Sequence, residues 1–414
     1  MKKRFIWVLT VILLLNASLM SACGSGVQAS SKAEDVSLKI WAPANQIETG
    51  TLEKMCGLFQ TAHPEWNITF AREIVGEDNA KTEILKDVSA AADVFFFAND
   101  QLEELLGAGA IARLGGDTET MVKRDMPETV VDTVKVADAL YGIPFTHNTF
   151  FMYYDKSLLS DNDIKSLDTI MAKDTPANVY NFQFDPAGGW KGGAFYYGAG
   201  LTIFGEDQIS YDKGCDWNNA VGVAVTAYLI DLLANPKCVH SDDASASELA
   251  ADHRLGAWFD GAWNYNLYKD ALGDNLGLAP LPTFTAGGKA YQLRGFYGSK
   301  AIGVNAHSKF MQQSVALAAF LGGEEMQVLR FTESAQIPTN MKAGNSDAVK
   351  ADEIARVTMK QAEIAAVMQP TNSNFGSRYW DNAGALFTEI KSGTLNHDNI
   401  QEKLDVFASA FVIN

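Results

Sequence analysis

Positive charge is in short supply in this chain: 33 lysines and arginines stand against 50 aspartates and glutamates, a formal net charge of −17. Nucleic-acid binding draws on basic residues that displace phosphate counterions, so an acidic chain of this kind excludes a nucleic-acid partner. Catalytic signatures are missing as well. The sequence holds no Gly-x-Ser-x-Gly elbow, no GxxxxGK[ST] phosphate loop and no His-Glu-x-x-His. Its six histidines (His63, His147, His240, His253, His307, His397) fall at no metal-ligand spacing. Carboxylates are plentiful, but glycoside hydrolysis needs two of them held about 5–10 Å apart, and in an acidic chain most are solvated surface. The expectation is a protein without catalysis, cofactor or metal.

A nearly unbroken apolar run, Phe5 to Leu15, is shorter than the roughly 20 residues of a membrane-spanning helix. Lys2, Lys3 and Arg4 precede it, and Asn16-Ala17-Ser18-Leu19-Met20 leads from it to Ser21-Ala22-Cys23. A positive start, an apolar stretch and small residues before a cut site read as a secretory signal over 1–22. Small-small-Cys resembles the bacterial lipobox, although Met20 sits where that pattern more often has Leu. The resemblance implies a lipid on Cys23 and an extracytoplasmic, membrane-anchored chain. Residues 23–35 are small and polar, a flexible tether with a reach of about 18 Å. Removing the signal with its three positive residues moves the formal charge to −20.

Cysteine is scarce too, four in all. Cys56 shares a helical stripe with Leu52, Met55 and Phe59 and reads as a packed thiol. Cys215 and Cys238 have 22 residues between them, and a disulfide is permitted outside the cell; closing such a loop stabilises by roughly 3 kcal/mol.

What is present in quantity is apolar residue, 47% of the chain, enough for two lobes of ordinary size. Ser37–Trp41 alternates as a strand, and a helix is expected over Glu48–Ala62. Asn67–Phe70 reads as a second strand, and the unbroken Asp93–Phe97 as a strand covered on both faces, with a helical stretch over Gln101–Leu106. From about Leu158 to Asp252 the sequence turns helical and aromatic, and strands return at Leu276–Leu278 and Lys300–Val304. Repeated βαβ order predicts an α/β fold with mainly parallel sheets, whose ligands bind beyond the carboxyl ends of strands, where Asn45 and Asn99-Asp100 fall.

Tryptophan is the other surplus. Trp190 follows Asp185-Pro186-Ala187-Gly188-Gly189, Trp263 follows Asp260-Gly261-Ala262, and Trp380 follows Gly376-Ser377-Arg378-Tyr379. Indoles beside turns suit a pyranose, whose apolar faces stack on aromatic rings while Asp, Asn, Gln and Arg bond its hydroxyl rim. Trp66, Trp217 and Trp258 are assigned to the core.

Four segments together resemble the family-1 extracellular solute-binding proteins, and among them the maltose/maltodextrin-binding group. They are Asp93 to Asp100; Tyr141-Gly142-Ile143-Pro144 with Tyr153 to Leu159; Gly261-Ala262-Trp263 with Leu278 to Phe284; and Ser377-Arg378-Tyr379-Trp380. The likeness runs from about Ser37 to Val412. It implies a periplasmic-binding-protein-like fold, two α/β lobes joined by a hinge around a ligand cleft: 36–146 with 295–342, and 147–294 with 343–414. It also implies a monomer that captures an oligosaccharide and delivers it to ABC transporter permease subunits. By resemblance, Trp263, Trp380 and Trp190 stack on sugar, Asp100 and Asp185 grip hydroxyls, and Phe97 supplies a first-lobe aromatic. Relatives often carry Asp-Lys after the first strand and an acid at the hinge; here stand Asn45-Gln46 and His147-Asn148. Asn45, Gln46 and Asn148 can still bond hydroxyls from both sides, without the charge-assisted part. That departure leaves a xylo- or galacto-oligosaccharide as the rival ligand. The rival classes are a polysaccharide-acting enzyme and a surface adhesin.

Overall fold

The computed structural model describes residues 33–413 apart from Ala187, so the signal, Cys23 and most of the tether lie outside the described residues. β1 (Glu34–Ala42) alternates exposed and buried side chains until Ile40, then sinks wholly into the core. It continues into α1 (Ala44–Glu48) and α2 (Thr51–Ala62). The single helix expected from Glu48 is broken at Gly50, whose φ of 76° a side chain would resist. β2 (Trp66–Ile74) pairs in parallel with β1, as does β3 (Val94–Ala98), whose five residues are all buried. A one-turn 3-10 segment, Asn99–Gln101, then leads into α3 (Leu102–Gly107).

The chain crosses between lobes through β4 (Ile143–Asn148) and β5 (Phe150–Asp155). The second lobe adds β6 (Tyr180–Gln183), α4 (Ala220–Ala234), β7 (Cys238–Val239), β8 (Leu255–Gly261) and β9 (Leu276–Ala279). β10 (Gly295–Val304) returns to the first sheet, and β11 (Ala366–Met368) lies at its edge. The long α5 (Ser373–Ser392) runs along the second lobe. The first sheet has the order β11-β10-β3-β1-β2, with β4 also on β10; the second has the order β9-β5-β8-β6-β7. Each sheet is mixed, not mainly parallel. β10 runs antiparallel to β3 and β4, and β5 runs antiparallel to β8 and β9. The crossing strands cause this, because a strand that enters a sheet from the other lobe is free of the βαβ crossover that forces parallel pairing.

One core cluster is built from residues between Val36 and Phe145 together with Ala301 to Met326. Two others lie in the second lobe: one gathers Phe150 to Phe296 with Ala365 to Phe411, the other packs Trp258 and Tyr153 with Val349 and Ile354. Trp66, Trp217 and Trp258 are buried, as expected.

The disulfide is corrected. Cys215 and Cys238 are both free thiols. Cys215 lies before the first turn of α4 and Cys238 after its last, and a helix of 15 residues separates its ends by about 22 Å. A disulfide needs Cα atoms within about 7 Å. Burial pushes the Cys56, Cys215 and Cys238 thiols up to about 12, so none is a nucleophile.

Candidate functional site

A cavity of about 620 Å³ opens between the lobes, in the size range of small-molecule sites. Its second-lobe wall is aromatic. Trp263 stands on the turn after β8, and Trp190 lies 5.7 Å from it between ring centroids. Trp380, on α5, completes the wall.

Local sequence explains each placement. Gly188 and Gly189 take φ of 75° and 80°, and a Cβ on Gly189 would fall 2.5 Å from the Ala383 side chain. Only glycine lets this loop lie flat on α5, where the Tyr379 hydroxyl donates to the Gly189 carbonyl at 2.9 Å. The loop thus delivers Trp190, which packs on Phe150 at 4.9 Å. On α5 the residues Phe375, Tyr379, Ala383, Phe387 and Ile390 make the buried stripe. Trp380, one step round from that stripe, is left facing the cleft with its rear edge against Phe296 and Tyr379. Asn372 caps the helix by accepting from the Phe375 N–H.

Gly261 has an ordinary backbone conformation, yet a Cβ there would lie 2.1 Å from the six-membered ring of Trp263. Gly261→Ala is therefore expected to push the indole out of the wall while leaving the strand intact. Calorimetric titration with the cleft's ligand should show affinity reduced about tenfold, roughly 1.4 kcal/mol, with little change in unfolding temperature.

The first-lobe wall is polar. Asn45 and Asp100 line it from beyond the ends of β1 and β3, and Asn148 from the end of β4. The Asn148 amide reaches the Gln369 side chain at 3.5 Å. Asn45 Oδ1 and Glu77 Oε1 are buried without a protein partner. Both atoms are sealed from solvent, and the Arg330 charge lies near Glu77. Desolvation pushes the Asp100 carboxyl up to about 6; nearby Glu104 and Asp78 add to the effect, against its own backbone N–H and Lys81. The lobes also touch: the Glu103 carboxylate accepts from the Ser373 N–H, the first of α5, at 2.8 Å. A carboxylate at a helix N-terminus is favourably placed for the helix dipole.

Six expected residues thus meet at one cleft: Asn45, Asp100, Asn148, Trp190, Trp263 and Trp380. Three do not. Phe97 is fully buried in the first-lobe core, its ring 5.8 Å from that of Phe95. β3 is covered on both faces, so its alternation carries this ring away from the cleft. Gln46 points inward, accepting from Arg330 Nε at 2.9 Å and donating to Gln336. Arg330 is itself sandwiched near the Phe96 and Phe145 rings, and burial brings its pKa down to about 9. Gln46 is thus a support for α1, one residue behind Asn45. Asp185 opens the loop that carries Trp190 but lies outside the cavity lining. His147 also turns from the cleft to the Tyr297 hydroxyl at 2.7 Å, and burial lowers its pKa to about 4.

Residues missed by the sequence reading include Glu77, Lys81, Gln101, Lys300 and Gln369. One signal was available: Lys300 is the one charged residue in the apolar stretch Gly295–Val304, and lysine among apolar neighbours is usually paired. Among the described residues no cluster of metal-ligating side chains occurs, and no helix is long and apolar enough to cross a membrane.

Residues 54–357 match the family described as bacterial extracellular solute-binding protein. A galactooligosaccharide-binding protein of Bacillus subtilis (strain 168) is 22% identical over 398 residues, covering 90% of this chain and 89% of its own. A maltooligosaccharide ABC transporter solute-binding lipoprotein of Streptococcus pneumoniae serotype 4 is 26% identical over 275 residues, 61% of each chain. Among solved structures, one determined with acarbose is 39% identical, with a TM-score of 0.85 over 91% of this chain and 98% of that one.

Proposed function

The chain belongs to the bacterial extracellular solute-binding protein family, and on that footing we propose that it is the maltodextrin-capturing component of an ABC sugar importer. It binds an oligosaccharide. The observation that carries this reading is a cleft with three indoles on one wall and amides and carboxylates on the other. Apolar ring faces meet the indoles and hydroxyl rims meet the polar wall, the division of labour a pyranose chain demands.

The lobes are taken as 36–146 with 295–342 and 147–294 with 343–414, with β4, β10 and β11 straddling the boundary between them, and the binding role is exercised by a monomer without catalysis. Ligand favours the closed arrangement by touching both walls at once. The small-small-Cys signal and the lipoprotein relative support a lipid on Cys23 that holds the body at the outer face of the membrane, beside the permease subunits.

Calorimetric titration of the soluble portion, residues 33–414, with a glycan panel tests the reading. Heat is expected from maltotriose and longer α-glucans. No heat from any α-glucan, with heat from a galacto- or xylo-oligosaccharide, would transfer the assignment to that sugar. The galactooligosaccharide-binding relative is the reason to include it. Release of shortened products from the glycan would instead establish an enzyme.

A further inference from the structure

We propose that Glu77 and Lys300 form a charged pair on the floor of the cleft that reads two neighbouring hydroxyls of the bound sugar, and so determines specificity. The proposal rests on the oligosaccharide-binding role given above. Neither residue follows a recognisable motif, and they reach the same spot only through the fold. Glu77 lies just past β2, its backbone carbonyl held by the Ala98 N–H at 3.1 Å and the Gln101 amide at 2.8 Å. Lys300 lies midway along β10, opposite Ala98 of β3.

Their side chains are left partly unsatisfied. Lys300 Nζ stands 3.4 Å from Glu77 Oε2, longer than the 2.7–2.9 Å of a well-made charge-assisted bond. Glu77 is 5% exposed, and its second oxygen, Oε1, has no partner. A buried carboxylate needs its lone pairs filled, and an ammonium carries three donors for one such contact. Arg330 lies behind Glu77 and feels its charge, while the pair itself lines the cavity, where a ligand can meet it. A pyranose with free hydroxyls on adjacent carbons fits: one hydroxyl donates to the cavity-facing part of the Glu77 carboxylate, and the neighbouring oxygen accepts from Lys300 Nζ. Lys300 Nζ also lies 4.7 Å from the Trp263 ring centroid, which places the pair at the edge of the aromatic wall. The ring takes an apolar face, the pair takes the rim. Charge that Asn45-Gln46 do not supply after β1 thus enters the cleft from elsewhere in the chain.

The test is titration of the full-length chain, in detergent, with maltotriose and with its singly deoxygenated analogues. Lys300→Met, Glu77→Gln and the double substitution are compared with the unsubstituted chain. Each single change is expected to weaken maltotriose binding 10–100-fold, and the double change little more than either, because the pair acts as a unit. The analogues lacking the hydroxyls read by the pair should bind weakly to the unsubstituted chain yet lose nothing further in the variants. A merely structural role would lower every analogue in parallel, and that pattern overturns the proposal. So does unchanged or tighter binding by Lys300→Met, which would make the lysine a plug over Trp263. If Lys300→Met fails to fold, Lys300→Arg and Glu77→Gln carry the same scan. If the unsubstituted chain ignores α-glucans, the maltodextrin reading fails separately, and the scan on the glycan that does bind decides the pair.

Discussion

Trp263→Ala and Trp380→Ala are each expected to weaken oligosaccharide binding by about 1–3 kcal/mol, a loss of roughly 5- to 150-fold. The expectation follows from where the rings sit. Trp263 rides on the turn at the end of β8, outside the core clusters, so truncation removes its contacts with ligand, Trp190 and Lys300 but opens no gap in the core. Its unfolding temperature should therefore stay close to that of the parent. Trp380 differs, because its rear edge packs on Phe296, Phe375 and Tyr379 at 5.8, 6.0 and 4.9 Å. Truncating it opens a gap at the margin of the second-lobe core, and a fall in unfolding temperature should accompany the lost affinity. Combining both substitutions should abolish measurable heat. Trp190 lies 5.7 Å from Trp263, so Trp190→Ala and Trp263→Ala should be non-additive, whereas Trp190→Ala and Trp380→Ala should come closer to additive. Unchanged affinity in both single variants, measured by calorimetry, would place the sugar in another part of the molecule.

Trp190 and Trp263 were legible in the sequence because glycines and short polar stretches announce a backbone that leaves the sheet, whereas Trp380, also read as beside a turn, lies inside α5. The strands were legible for a similar local reason: the apolar run at β3 and the alternation at β1 are properties of consecutive residues. The polar wall was not, since it is assembled from the ends of elements far apart in the chain. Glu77, Lys300 and Gln369 meet only because β10 inserts beside β3 and because β11 pairs with β10. Nothing near Glu77 marks it off from the other carboxylates of an acidic chain. Phe97 and Gln46 erred in the opposite sense. A motif supplies a residue's place along the chain, but the face it presents depends on register, and a single step along β3 separates a core ring from the cleft. Gln46 was read as a hydroxyl binder, yet its partner is Arg330, brought from a distant helix into the first-lobe core.

Binding is also expected to be pH-dependent, with a sign fixed by Asp100. Its carboxyl titrates at about 6, chiefly because the cleft wall desolvates it. If the ionised form accepts the sugar hydroxyls, only that form binds well, and apparent affinity scales with its population. Between pH 7.5 and pH 5 the ionised fraction falls from nearly all to about one tenth, so affinity should drop about tenfold. Stability of the unliganded protein moves the other way. A carboxyl whose folded pKa lies above its unfolded value of 3.8 favours folding at low pH, and that contribution is lost as pH rises through 6. Asp100→Asn should therefore raise the unfolding temperature at pH 7.5 while weakening sugar binding there, and should flatten the affinity profile from pH 5 to 7.5. Lys81, Glu104 and Asp78 adjust a titration set chiefly by desolvation, so Lys81→Met should shift the midpoint upward by removing the one cation among them. A profile that keeps its slope in Asp100→Asn would assign the titration to a different group and remove Asp100 from the hydroxyl contacts. Opposite slopes for binding and stability, both flattened by the one substitution, are the signature of a carboxylate kept charged in the cleft wall for its ligand.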